Sequence, residues 1–245
     1  MTPPVLALDA LTWRVGAVPI VDGVDLAVEQ GAFWALIGPN GAGKTSLFNL
    51  VSGVTRATGG AVLLDGRDVT RLPPHRRARL GIARTFQSSS VFPTMTVAEH
   101  AELAARAAGA RHVTARDVAG LLDRVRLGHR SGDLAAGLSH GDKRKLELAM
   151  LLAPTLAGQG PRLLLLDEPM AGVAAEETGE LTAVLRGLHQ DEGRTVLMVE
   201  HHMDIVLGLA DRVAVMHHGR LLAAGTPAAV MADAAVQDAY VGEAL

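Results

Sequence analysis

Phe33-Trp34-Ala35-Leu36-Ile37, followed at once by Gly38-Pro39-Asn40-Gly41-Ala42-Gly43-Lys44-Thr45-Ser46, is the stretch that decides the fold. Five consecutive apolar residues suit a strand buried on both faces. Gly38 to Thr45 then matches G-x-x-x-x-G-K-[ST], and Lys44 to about Ser52 reads as a helix. Glycines in such a loop let backbone N–H groups turn inward around phosphate oxygens, and the helix N-terminus adds positive potential. In this reading Lys44 reaches the β- and γ-phosphates, Thr45 offers its hydroxyl to Mg²⁺, and Ser46 touches the α-phosphate. A turn ahead of an ordinary core helix could carry the same residues. The strand before and the helix after favour the phosphate loop.

Two further segments extend the chemistry. Leu163 to Leu166 is a strand-length apolar run that ends in Asp167 and Glu168. Ligands of open α/β sheets bind at such C-terminal strand ends. Asp167 is placed to hold Mg²⁺ through water, and Glu168 to polarise an attacking water. Acidic residues at strand ends also serve as helix caps, but the phosphate loop tips the balance. Upstream, Leu138-Ser139-His140-Gly141-Asp142 precedes a helix expected from about Asp142 to Leu152. A serine and a glycine at a helix start can bind phosphate through hydroxyl, N–H and dipole. Taken alone, Ser139 reads first as an ordinary N-cap, and its placement between the other two elements reverses that.

The remainder alternates strands and helices. Val24, Leu26 and Val28 alternate with polar neighbours before a turn at Gln30-Gly31, and Ala61 to Leu64 ends at Asp65-Gly66. From Thr96 to Val125, Ala, Leu, Glu and Arg at helical spacing predict two or three inserted helices. A helix from Glu176 to His189, a strand from Thr195 to Glu200, a helix near Met203 to Leu209 and a strand from Val213 to Met216 complete the core. The fold class expected is α/β: a parallel-sheet P-loop core, an N-terminal antiparallel β subdomain and a helical insert at about 88–141, within one domain spanning 4–245.

Composition narrows the classes. In 245 residues, 49% are hydrophobic and 20% charged, enough for a substantial core. The net charge of -3 gives no electrostatic case for nucleic acid, even though Arg71, Arg76, Arg77 and Arg79 cluster locally. Without cysteine there are no disulfides and no thiolate metal sites, which fits a reducing cytoplasm. Met1 to Asp9 lacks signal-peptide character, and no apolar run approaches the roughly 20 residues that span a bilayer.

The order of these motifs resembles an ABC transporter ATPase over nearly the whole chain, and Leu138 to Asp142 resembles the signature sequence usually written LSGGQ. The resemblance implies further roles. Gln87, in Thr85-Phe86-Gln87, is similar to the glutamine that contacts Mg²⁺ and the lytic water. His201 is similar to the switch histidine at the γ-phosphate. The family packs two ATPase chains head to tail, so Ser139, His140, Gly141 and Asp142 would serve the ATP of a second, identical or different chain. It also implies two transmembrane permease subunits, an extracytoplasmic solute-binding protein, and a place on the cytoplasmic face of the membrane.

Gly81 to Gln87, Leu138 to Gly141, Asp167 to Gly172 and the ending Ala239 to Glu243 are similar to branched-chain amino acid importers and to the related urea and amide importers. Lipid or lipopolysaccharide extraction motors, and more distantly soluble ABC ATPases, share much of the pattern. Some positions depart from it. The residue that usually stacks an aromatic ring on adenine aligns with Val15, with Trp13 as a possible substitute. Ala174 replaces an aspartate that couples the two sites, Asp142 a glutamine, and His202 an aspartate.

Overall fold

The computed structural model describes residues 3–86 and 91–241. β1 (Leu6–Val15) turns back into β2 (Val18–Val28), pairing antiparallel with Leu8 opposite Leu26. Val24, Leu26 and Val28 are buried while the residues between them are exposed, as the period-two pattern requires. The chain then crosses into a second sheet as β3 (Phe33–Ile37), buried at all five positions, and enters α1 (Lys44–Ser52). β4 (Gly59–Leu64) and β5 (Arg67–Asp68) return to the first sheet, whose strand order is β2-β1-β4-β5.

After the short α2 (Pro74–Arg79), β6 (Ile82–Arg84) becomes an edge of the second sheet. α3 (Val97–Ala107) and α4 (Ala115–Arg124) form the insert, each opened by a threonine capping box, at Thr96 and Thr114. α5 (His140–Leu152) follows and begins two residues earlier than the apolar pattern suggests, because Ser139 caps it. Then come β7 (Leu163–Asp167), α6 (Ala175–Gln190), β8 (Val196–Val199), α7 (Met203–Leu209), β9 (Arg212–His217), β10 (Arg220–Gly225), α8 (Pro227–Met231) and α9 (Ala234–Val241).

The second sheet has the order β10-β9-β3-β8-β7-β6, parallel throughout except for the antiparallel β9–β10 pair. Its two faces feed different cores. Leu36, Leu163, Leu165 and Val199 pack with α1 and the antiparallel sheet. Leu164, Leu166 and Met198 pack with α5, α6 and the inserted helices, so the insert shares its core with the sheet. Among the described residues, no helix is long and apolar enough to cross a membrane.

Arg77, one of the clustered arginines, is not a surface charge. It is 2% exposed and donates to the carbonyls of Leu50, Val51, Leu72 and Thr70. Two of those carbonyls lie in the last turn of α1, where i+4 N–H donors run out; that of Leu50 also accepts from the Gly53 N–H. Desolvation lowers its pKa from the ordinary guanidinium value. Arg77 thus fixes the far end of the helix whose near end carries the phosphate loop.

Candidate active site

β3 ends at Ile37 and delivers Gly38 to Gly43 against the sheet rim. Two glycines make the close approach possible. A Cβ on Gly38, at φ 143°, would lie 2.1 Å from the Met216 carbonyl oxygen, and one on Gly43, at φ 102°, would lie 2.8 Å from that of Ile20. Gly43 is also the N-cap of α1, and α1 has neither a side-chain cap nor an acidic residue in its first turn. The N-terminus of α1 is therefore open to an anion. Lys44 is buried, and its Nζ donates to the carbonyls of Gly38 (2.5 Å) and Pro39 (2.7 Å).

A cavity of about 340 Å³ is lined by Asn40 to Ser46, together with Ile20, Glu168 and His201. That volume suits a small-molecule ligand. Glu168 reaches it because its backbone sits at φ 49°, a left-handed conformation costly for a non-glycine residue. Its N–H donates to the Val199 carbonyl, and its Oε1 lies 3.0 Å from His201 Nε2. The two side chains are thus paired across the ends of adjacent strands.

Asp167 lies deeper, 1% exposed. Its Oδ2 accepts from Arg84 at 2.9 Å, and its N–H donates to Thr85 Oγ1. Its Oδ1 is buried without a hydrogen-bond partner. Burial raises the Asp167 pKa above the ordinary carboxyl value, against the pull of Arg84. Asp167 does not itself line the cavity, but it precedes Glu168, which does, and its unpartnered carboxylate oxygen could help hold a Mg²⁺ ion. Mg²⁺ keeps several waters and takes few protein ligands, so the lack of any cluster of three acidic or histidine side chains among the described residues is no obstacle.

The signature segment stands elsewhere. None of Ser139, His140, Gly141 or Asp142 lines the cavity. Ser139 Oγ accepts from the Asp142 N–H at 3.1 Å and donates to Glu177 Oε1. The negative charge of Asp142 is met by Arg130 Nη1 at 2.5 Å and Lys145 Nζ at 2.6 Å. Burial alone would raise the Asp142 pKa, but those two cations bring it below the ordinary value.

Trp13 packs against the core of the antiparallel sheet, whereas Val15 is 55% exposed at the hairpin end. Neither lines the cavity, but Ile20 does. Gln87 lies outside the described residues, as does the end of the Ala239 to Glu243 segment.

Two residues of the site were not anticipated. Ile20 reads in sequence as one more strand residue. Glu200, 1% exposed, accepts from the Met170 N–H through Oε1, and from the His201 N–H, the His202 N–H and His202 Nδ1 through Oε2. It ties the loop after Glu168 to the loop that carries His201. A glutamate at the end of an apolar strand is the only signal in sequence, and its partners are not visible there.

Residues 21–171 match the family model described as ABC transporter. The chain belongs to the ABC transporter family. It is an ATP-binding cassette whose ATP hydrolysis is coupled to transport. Residues 220–245 also match the model described as branched-chain amino acid ATP-binding cassette transporter. The high-affinity branched-chain amino acid transport ATP-binding protein BraF of Pseudomonas aeruginosa is 36% identical over 264 residues, covering both chains in full. LivG of Escherichia coli, of the same description, is 35% identical over 260 residues with equal coverage. Among solved structures, an ATP-binding cassette of an ABC transporter in its ADP conformation aligns with a TM-score of 0.86 at 29% identity, covering 98% of this cassette and 99% of that chain. A nucleotide-free cassette aligns with a TM-score of 0.84 at 28% identity, with the same coverage.

Proposed function

We propose that this cassette powers the import of branched-chain amino acids, or of closely related small solutes, across a cell membrane. The observation that carries the ATPase part is the convergence of Lys44, Glu168 and His201 on one cavity. The cargo class rests on end-to-end similarity to BraF and LivG.

Lys44 and the backbone N–H groups of Gly41 to Ser46 bind the phosphates. Thr45 and Asp167, with Gln87, hold Mg²⁺, which neutralises charge on the phosphate oxygens. Glu168 accepts a proton from the attacking water, and its 3.0 Å contact with His201 Nε2 holds its carboxylate toward the γ-phosphate side of the cavity. Ser139 and Gly141 bind the nucleotide of a second ATPase chain, which supplies its own signature in return. Their distance from the cavity of their own chain supports this division. Ile20, which lines the cavity, offers an apolar surface for the base, with Val15 exposed on the same β1–β2 hairpin. Permease subunits, an extracytoplasmic binding protein and a peripheral cytoplasmic position complete the reading, with residues 4–245 acting as one ATPase domain.

The test is reconstitution in liposomes with the permease, ATPase and binding proteins encoded beside this chain. Leucine-loaded binding protein is expected to stimulate ATP hydrolysis over empty binding protein. Stimulation by urea or a short amide would move the cargo class, and hydrolysis indifferent to every binding protein would overturn import.

A further inference from the structure

We propose that Glu177 stands in for a nucleotide phosphate on the chain's own signature segment, and that its displacement by the partner chain's ATP couples the two ATP sites. The proposal rests on the reading of Ser139 and Gly141 as the donors that serve that nucleotide.

The geometry is specific. Ser139 has a single hydroxyl proton, and it goes to Glu177 Oε1. The Gly141 N–H points at the other carboxylate oxygen, Oε2, at 3.4 Å. A carboxylate offers two oxygens and a negative charge, as one edge of a phosphate does. It occupies both donors that an incoming γ-phosphate needs, and two anions cannot share them. The approach is close: a Cβ on Gly141 would lie 3.0 Å from Glu177 Cβ and 3.0 Å from its Cδ. A side chain at 141 would press the carboxylate away by a few tenths of an ångström, and glycine leaves it room.

Glu177 is also placed to transmit its own release. It sits in the first turn of α6, three residues beyond Ala174, the N-cap position, which supplies no side-chain cap. Beside the apolar packing that begins at Leu181, a pair of glutamates one turn apart ties the start of α6 to α5. Glu177 holds Ser139 and Gly141, and Glu180 holds Lys145 at 3.0 Å. The loop that leads into α6 begins at Glu168, and Glu200 clamps it at Met170. Drawing Glu177 off the signature frees the beginning of α6 and so shifts the loop on which Glu168 is mounted. The partner's nucleotide is thereby felt at the residue that acts on the chain's own. This connection takes the place of the coupling aspartate that Ala174 lacks.

The experiment uses the transporter assembled from this chain with its neighbouring permease and ATPase chains, and reads ATPase rate against ATP concentration. Glu177→Ala removes the competitor, and Glu177→Gln keeps its shape without its charge. If the released state is about a tenth of the population, Glu177→Ala lowers the half-saturating ATP concentration by up to about tenfold, with Glu177→Gln falling between it and the parent. A contact that served only to hold the fold would give the opposite, a weaker response to ATP and a lower melting temperature. Half-saturation unchanged or raised in both variants overturns the proposal. Ser139→Arg separates the two layers of argument: it is expected to abolish hydrolysis in the same assembly. If Ser139→Arg hydrolyses as the parent does, it is the assignment of the signature that fails.

Discussion

Arg84 and Asp167 form an ion pair inside the protein, Nη2 to Oδ2 at 2.9 Å, with side chains 7% and 1% exposed. Arg84 is itself held by Asn49 Oδ1 and Ser52 Oγ at the end of α1, and its guanidinium lies 5.7 Å from the Phe48 ring centroid. The pair therefore links the helix of the phosphate loop to the strand that ends in the carboxylates. Removing one partner of such a pair leaves an uncompensated charge, at a cost of roughly 3 kcal/mol or more. Arg84→Met is expected to lower the urea midpoint accordingly. Because Arg84 opposes the upward shift that burial imposes on Asp167, the acid limb of the ATPase pH profile is also expected to move to higher pH. An unmoved acid limb would detach Arg84 from the titration of Asp167, the carboxylate proposed to hold the metal.

Lys44→Ala and Glu168→Gln are expected to separate binding from chemistry. Loss of charge-assisted hydrogen bonds to phosphate costs about 1.5–3 kcal/mol, so Lys44→Ala should weaken ATP affinity by about 10- to 100-fold in a nucleotide fluorescence titration. Glu168→Gln should bind ATP like the parent while phosphate release falls by at least about 100-fold. Ordinary turnover by the glutamine variant would remove Glu168 from its assigned role.

Most of the sheet could be read directly from the residues because its strands are buried on both faces. Phe33–Ile37 and the first four residues of β7, Leu163 to Leu166, are uninterrupted apolar runs, each leading into a loop of the site, and α1 and α7 span the residues expected of them. α2 was not legible, since Pro74–Arg79 has no apolar stripe and is held by the single buried Arg77. The three-residue β6 is too short to show a period. In the site, the cavity-lining residues Asn40 to Ser46 sit in one local motif and announce themselves. Glu200 and Glu177 do not. Glu177 meets Ser139 across 38 positions, and Glu200 meets Met170 across 30, so only the folded chain brings them together.

Glu200→Ala should act on rate more than on affinity. The substitution leaves the N–H groups of Met170, His201 and His202 without their shared acceptor and lets the two loops drift apart. A drop in kcat with KM little changed is expected in steady-state kinetics. Equal losses in binding would place Glu200 in the nucleotide pocket itself.

Asp142 gives an acid signature. Its pKa is lowered in the folded chain, so the stability it confers is present above the ordinary carboxyl value and is lost as pH falls through the lowered one. Lys145 is shifted the other way, upward: burial works against the charged form, but Asp142 and Glu180 outweigh it. Its share is fully present below the ordinary ammonium value and is lost only as pH rises through the raised one. Asp142→Asn is expected to melt below the parent at neutral pH, with the gap closing as acid protonates the parent's Asp142. A gap independent of pH would assign the loss to packing instead of charge.

The absent side chains at Gly38 and Gly43 have a kinetic consequence. With the Met216 and Ile20 carbonyls seated in the space those side chains would fill, the loop is braced from behind in the chain as it stands. An arriving nucleotide meets a finished mould, and little chain entropy remains to be surrendered at capture. What capture still has to rearrange is a side chain and not the loop: Lys44 Nζ must exchange the Gly38 and Pro39 carbonyls for phosphate oxygens.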